Sequence, residues 1–171
     1  MNKDKMEKSY CTAIVLAAGS GKRMGTTTHK QYLLMGGHPV LFYSLRTFQE
    51  SEFIDEGIIE RAYECVCKSD ACIAGMPVKD TIKIVNERQR VESTPDRATL
   101  WAIQTPQVFL ADLLLKAYGK LMKQNWIQVT DDAMVVEKML NHEVQVFTGK
   151  YENIKITTPE DLVIAKAFLD K

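Results

Sequence analysis

Short apolar runs alternate along the chain with stretches in which apolar side chains recur every three or four positions. The runs predict buried strands, and the longer spacing predicts helices that each bury one face. Strands are predicted, in chain order, over residues 11–16, 54–59, 71–78, 100–105, 144–147 and 154–157. Helices are predicted over residues 39–50, 59–68 and 110–124, from 130 to about 140, and from 158 onward. Because strands and helices alternate, the predicted fold class is α/β, with a mostly parallel sheet flanked by helices.

Polar residues mark the ends of several elements. Thr130 is expected to cap the fourth helix, with Asp131 and Asp132 in its first turn. The run from Thr158 to Asp161 opens the last helix with a cap, a proline at the first position and an acid at the third. Residues 81–85 and 91–94 are expected to pair as a projecting arm across the polar turn at 86–90.

The segment from 54 to 66 does not follow the alternation. A predicted strand and a predicted helix abut there, although most connections of this kind take about 2 to 6 residues. Two interpretations are open. The region is one helix with Gly57 near its start, or it is a place where sequence is missing.

Composition narrows the class of protein. A chain of 171 residues with 46% hydrophobic residues is typical of one globular domain with a sizeable core. Lys and Arg total 22, as do Asp and Glu, so no overall field favours nucleic acid or an anionic membrane as a partner. The first residues have no apolar signal region behind them, so the cytoplasm is the expected location. The four cysteines form no C-x-x-C pair and are expected to be reduced, small apolar residues rather than zinc ligands.

Candidate chemistry lies in the run LAAGSGKRM at positions 16–24. Gly19 and Gly21 let backbone N–H groups approach a phosphate, and Arg23 and Lys30 add two nearby cations. A Walker loop would need a glycine at 16 and Ser or Thr at 23, and a dinucleotide loop would need a glycine at 24. None of these is present, so the run suggests different chemistry on a nucleoside triphosphate. A plain strand-to-helix turn is the alternative for the run taken alone.

Further motifs follow in order: KQY at 30–32, PVKDT at 77–81, TPDR at 94–97, LW at 100–101, QTPQ at 104–107, TD at 130–131 and NIKIT at 153–157. With the glycine loop, they make the chain resemble the 2-C-methyl-D-erythritol 4-phosphate cytidylyltransferase family from about Thr12 onward. The resemblance implies a Rossmann-like nucleotidyltransferase sheet in one domain over 1–171, with the arm at about 79–99. It also implies transfer of a cytidylyl group from CTP to methylerythritol phosphate, with release of pyrophosphate, in non-mevalonate isoprenoid precursor synthesis.

The resemblance also implies roles for individual residues. The catalytic residues would be Arg23, Lys30 and Lys155. The nucleotide would lie against Leu16, Ala17, Ala18, Gly19 and Gly21. The substrate would be positioned by Thr81, Arg97, Thr105, Thr130 and Lys155. Mg²⁺ is the implied cofactor with no protein ligand identified, since Asp131 and Asp132 are more typical of a helix cap. The arm would cross to the partner subunit of a homodimer.

The chain departs from the family between Gly57 and Glu60. Family members have there a third strand, a Gly-Gly-x-x-Arg loop, a helix and a strand ending in His-Asp-x-x-Arg-Pro. At least one βαβ unit of about 30 residues is absent, and with it central strands, base contacts and the metal-binding aspartate. Either this sequence joins two parts of a longer chain, or the deletion is real and leaves an inactive, dimer-forming remnant. An intact mass clearly above 19.4 kDa would support the first explanation.

A different sugar nucleotidyltransferase is the alternative enzyme. Thr81 and Arg97 on the arm argue against it by resemblance, because an arm that contacts methylerythritol phosphate is a feature of the resembled family.

Overall fold

The structure, a computed structural model, describes residues 12–17, 24–25, 28–50, 57–124 and 128–169. Its helices are α1 Val40–Glu50, α2 Ile58–Ser69, α3 Ala111–Leu121, α4 Asp132–Leu140 and α5 Pro159–Leu169. Its strands are β1 Leu34–Met35, β2 His38–Pro39, β3 Ala71–Pro77, β4 Ile84–Val85, β5 Val91–Ser93, β6 Trp101–Phe109 and β7 Gln145–Thr148. Packing divides the chain into two units, one of residues 1–53 with 156–171 and one of residues 54–155. The single-domain organisation with an arm stays a prediction.

The unit of residues 54–155 is built on a three-stranded sheet with β3 in the centre. β3 runs antiparallel to β6, with Ala71 opposite Phe109, and parallel to β7, with Cys72 opposite Gln145. Residues 71–75 are all buried, as expected of a continuous apolar strand covered on both faces. The α/β fold class is confirmed, and the sheet formed by the described residues is mixed.

Three helices, α2, α3 and α4, complete the core of this unit. α2 contacts all three strands, and its buried residues Ala62 and Val66 are four positions apart, on one helix face. α3 packs against α4, where Ala117, Val135 and Val136 form a fully buried cluster with the first residue of β3. This cluster joins the start of β3 to the packed faces of α3 and α4.

The other unit contains the β1–β2 hairpin, α1 and α5. Gly36 and Gly37 connect the two short strands with φ values of 55° and 84°, which a side chain at either position would disfavour. The predicted start of α5 is confirmed. Pro159 is its first residue, and the carboxylate of Asp161 accepts hydrogen bonds from the N–H groups of Thr157 and Thr158, both at 2.8 Å.

The first predicted strand is wrong over its described part. Residues 12–17 form neither a strand nor a helix, and the side chains of Ile14 and Leu16 are 79% and 88% exposed. A strand is stable only where neighbouring strands take up its N–H and C=O groups. No strand among the described residues pairs with this segment, so Ile14 and Leu16 are left in solvent.

Other predictions differ from the structure as well, and three of them bear on the site. α2 begins at Ile58 after Gly57, so the predicted strand is wrong over 57–59, and its residues 54–56 lie outside the described part of the chain. The helix predicted over 59–68 is confirmed and starts one residue earlier. Residues 154–157 form a loop rather than a strand. Asp131, not Thr130, is the N-cap of α4, because its carboxylate accepts from the N–H of Met134 at 2.9 Å.

Among the described residues, no helix is long and apolar enough to cross a membrane.

Candidate active site

Lys30 and Gln31 form the first cluster of candidate residues, in the unit of residues 1–53 and 156–171. They lie in a short 3-10 turn, Lys30–Tyr32. The Lys30 Nζ donates to the carbonyl of Ile156 at 2.9 Å, and the buried Gln31 donates through Nε2 to the carbonyl of Ala17. The turn is therefore joined both to the segment that leads into the glycine loop and to the segment that follows Lys155.

The sequence did not single out Gln31, although it stands in the KQY motif. A polar side chain that is 8% exposed and hydrogen-bonded to a distant backbone group fixes two segments relative to each other. Gln31 therefore positions Ala17, one of the residues expected to line the nucleotide. Leu16, also expected there, is exposed, and Arg23, Ala18, Gly19 and Gly21 lie outside the described residues.

The hairpin predicted for the arm is present in the unit of residues 54–155. β4 and β5 pair antiparallel, and the side chain of Asn86 closes the turn by accepting from the N–H groups of Arg88 and Arg90. Thr81 is exposed on this arm. Arg97 lies at its base, where Nη1 donates to the carbonyl of Lys79 at 3.0 Å. Both predicted substrate residues of the arm are thus on its surface.

One loop joins Thr105 to the segment that leads to Lys155, in the same unit. Thr105 lies on β6, and its carbonyl accepts from the Nδ2 of Asn153 at 2.6 Å. The Nε2 of Gln104 donates to the carbonyls of Lys150 and Asn153, at 2.8 and 3.0 Å. Lys155 is exposed two residues after Asn153. Asn153 and Gln104 were not predicted as site residues, and their places in the NIKIT and QTPQ motifs were the available signal.

The start of α4 brings together Thr130, Asp131 and Asp132. The second carboxylate oxygen of Asp131 accepts from the Nε2 of Gln107 at 3.0 Å. The carboxylate of Asp132 accepts from the hydroxyl of Tyr118, and this bond, aided by burial, raises the pKa of Tyr118 to about 12. Thr130 itself is exposed. Both carboxylates are therefore occupied by structural bonds.

The described residues do not fit a magnesium site. No three His, Cys, Asp or Glu side chains among them converge as metal ligands. The nearest acidic pair, Asp131 and Asp132, already accepts hydrogen bonds from Met134, Gln107 and Tyr118. Burial, with Cys65 beside it, raises the pKa of the Cys72 thiol to about 12, so this thiol stays protonated and is a poor metal ligand.

Comparison with known proteins decides the family. A family model described as 2-C-methyl-D-erythritol 4-phosphate cytidylyltransferase matches residues 11–64 and 55–171. The chain belongs to this family. The two matched stretches overlap at residues 55–64, and this is the region in which the missing unit is expected.

Two curated proteins named 2-C-methyl-D-erythritol 4-phosphate cytidylyltransferase show the same pattern. The one from Lachnospira eligens is 39% identical over 223 residues, covering 92% of this chain and 98% of the relative. The one from Caldanaerobacter subterraneus is 34% identical over 226 residues, covering 94% and 99%. Both alignments are longer than this 171-residue chain. Each relative therefore has internal positions that this cytidylyltransferase-family chain lacks.

Solved structures agree on the fold. The 4-diphosphocytidyl-2C-methyl-D-erythritol synthase of Anaerococcus prevotii is 36% identical with a TM-score of 0.63, covering 70% of this chain and 52% of that one. The cytidylyltransferase of Francisella tularensis is 24% identical with a TM-score of 0.71, covering 88% and 95%. The first match spans about half of the solved chain, and the second shows the shared fold.

Proposed function

We propose that this chain transfers a cytidylyl group from CTP to 2-C-methyl-D-erythritol 4-phosphate, releasing pyrophosphate for isoprenoid precursor synthesis. The observation that carries the proposal is the family match over both parts of the chain, which includes Lys30, Arg97 and Lys155. The 39% identity to the Lachnospira eligens cytidylyltransferase supports the same substrates.

The reaction places its main demand on electrostatics. An oxygen of the methylerythritol phosphate attacks the α-phosphorus of CTP, a new P–O bond forms, and the bond to the β-phosphate oxygen breaks. Two anions must meet while charge grows on the α-phosphoryl oxygens and the leaving pyrophosphate. We assign Lys30 and Arg23 to this charge, and Lys155 to the sugar phosphate. No protein nucleophile takes part, because the substrate phosphate is itself the nucleophile.

The arm supplies the proposed contacts to methylerythritol phosphate. Arg97 can bind a phosphate through two parallel N–H donors, since only one of its nitrogens is engaged with Lys79 in the hydrogen bond described above. Ile84, Val85 and Val91 are 50–59% exposed on the paired strands. Such an apolar surface on a projecting hairpin supports a homodimer in which the arm packs on a second copy.

Mg²⁺ is proposed to enter the site bound to CTP, through the triphosphate oxygens that this ion prefers as ligands. The described carboxylates do not fit it, so no step is assigned to a protein-bound metal. The cytoplasm is the proposed location, with small-molecule substrates as the partners.

The test is a pyrophosphate-release assay on a chain whose intact mass has been verified as 19.4 kDa. Turnover that needs CTP, methylerythritol phosphate and Mg²⁺ together is expected. Turnover with a sugar 1-phosphate instead would identify a different nucleotidyltransferase.

The exposed Ile14 and Leu16 favour a second candidate, a dimer-forming remnant without turnover. A verified 171-residue dimer that releases no pyrophosphate with any of these substrates would establish the remnant. Turnover above the rate of an Arg23→Ala variant would exclude it.

A further inference from the structure

Tyr151 contacts the base of the arm through both parts of its side chain. Its hydroxyl donates to the carbonyl of Pro77, the last residue of β3, at 3.1 Å. Its ring lies under the ammonium of Lys79, with Nζ 3.3 Å from the ring centroid. Pro77 and Lys79 flank the point where the chain leaves the sheet and enters the arm. Tyr151 therefore contacts this exit point twice.

The other side of the arm base, at Arg97, is also joined to Lys79. Arg97 donates to the carbonyl of Lys79 at 3.0 Å, and the N–H of Val78 donates to the carbonyl of Leu100 at 3.0 Å. Lys79 is thus bound at its ammonium by Tyr151 and at its carbonyl by Arg97. The position of the Arg97 guanidinium depends on Lys79, and the position of Lys79 depends on Tyr151.

Tyr151 can act as a fixed point because its own loop is fastened elsewhere. Gln104 on β6 binds the carbonyls of Lys150 and Asn153, on either side of Tyr151. At the start of the loop, a β carbon on Gly149 would lie 2.1 Å from the Oε1 of Gln104, so the backbone is packed closely on that side chain. A ring held this way can restrain the arm rather than move with it.

We propose that Tyr151 is a positioning residue that holds the arm base through Lys79 and so directs Arg97 toward the phosphate of methylerythritol phosphate. The first part of this proposal, that Tyr151 holds the arm, is supported by the contacts above. The second part, that Arg97 is thereby directed toward the substrate, rests on the proposed function. The sequence motifs did not indicate Tyr151 as a site residue, because it lies outside the NIKIT motif and carries no charge.

Kinetics of two variants test the substrate part. Tyr151→Leu removes ring and hydroxyl, and is expected to raise the KM for methylerythritol phosphate about 10-fold while leaving the KM for CTP unchanged. Tyr151→Phe keeps the ring over which Lys79 lies and is expected to restore most of the affinity. Glu152→Gln, in the same exposed loop, is the matched control and should behave as wild type. Equal effects on both KM values, or no recovery in Tyr151→Phe, would overturn the proposal.

Limited trypsin digestion tests the arm-holding part without any activity. In Tyr151→Leu, cleavage after Lys79 and Arg97 at the arm base is expected to accelerate several-fold. Cleavage after Arg88 and Arg90 at the arm tip should keep the wild-type rate and serves as an internal control. An unchanged cleavage rate at the arm base would show that Tyr151 does not hold the arm. If wild type shows no turnover, the proposed function fails, while the digestion still decides whether Tyr151 holds the arm.

Discussion

The ammonium of Lys30 donates a hydrogen bond to the carbonyl of Ile156, 126 positions further along the chain. The bond joins the KQY turn to the residue that directly follows Lys155 in sequence. A cation whose position is set by a distant backbone carbonyl loses little entropy when it binds a phosphate.

Lys30→Met is expected to lower kcat/KM for cytidylyl transfer by about 100-fold, because it removes a positioned cation from the transition state. The release of pyrophosphate at saturating CTP measures this effect. Lys116→Met, on an exposed position of α3, should leave the rate unchanged. A Lys30→Met enzyme with wild-type kcat/KM and wild-type unfolding midpoint would contradict the assignment.

Arg97→Lys is expected to raise the KM for methylerythritol phosphate by about 10-fold, with a smaller change in kcat. Lysine keeps the charge but cannot offer two parallel donors to one phosphate. Initial rates at varied methylerythritol phosphate report the effect, and Arg88→Lys at the arm tip is the control. A raised KM for CTP alone would place Arg97 at the nucleotide instead.

Asp161 is expected to make the stability of α5 depend on acid pH. Hydrogen bonds from the backbone of Thr157 and Thr158 lower the pKa of its carboxyl group. The ionised form is therefore favoured in the folded chain, and its contribution is full above the ordinary pKa of about 3.9 and lost as pH falls below it.

Urea unfolding of Asp161→Asn at pH 7 and pH 3 measures this contribution. The variant should be less stable by about 1 kcal/mol at pH 7, and the difference should shrink at pH 3. Glu160→Gln, exposed in the same turn, should match wild type at both values. An equal deficit at both pH values would show that the carboxylate charge is not responsible.

Tyr118 is expected to make the stability of the chain fall at high pH. Its folded pKa is raised to about 12 by the hydrogen bond to Asp132, so the folded chain keeps a proton that the unfolded chain releases near pH 10. Unfolding midpoints should fall between pH 10 and pH 12 in wild type and less steeply in Tyr118→Phe. Tyr63→Phe is the control and should retain the wild-type slope.

The missing unit can be restored to test why residues 12–17 form no strand. The corresponding segment of the Lachnospira eligens relative, inserted at Gly57, is expected to slow hydrogen exchange at residues 13–16. Burial of Ile14 and Leu16 would add about 1.5 to 3 kcal/mol each as an upper estimate. A glycine-serine insert of equal length should leave exchange fast. Slow exchange at 13–16 without any insert would mean that this segment already has a partner.

Local signals predicted the elements that depend on neighbours in sequence. The apolar period located α2 and α3, the cap and proline located α5, and the arm followed from two short apolar runs around a polar turn. The strand at 71–78 was found because a run buried on both faces is apolar throughout. The strand at 11–16 was predicted for the same reason, but its formation depends on distant strands that local sequence does not report.

The site shows the same division. Charged residues in motifs, such as Lys30 and Arg97, were predicted, whereas the residues that hold them in place were not. Gln31, Asn153 and Tyr151 act through hydrogen bonds and a ring contact to segments far away in sequence. Such partners are set by the packed fold, and a side chain alone does not reveal them.

The exposed Ile14 and Leu16 have a consequence for the amount of this protein in a cell. Two large apolar side chains exposed in a segment that forms no strand are what chaperones and quality-control proteases recognise. A 171-residue chain made without its middle unit would therefore be retained by chaperones or degraded faster than its longer relatives. The steady-state amount of the chain in a cell would then depend on the missing unit, as its catalytic rate does.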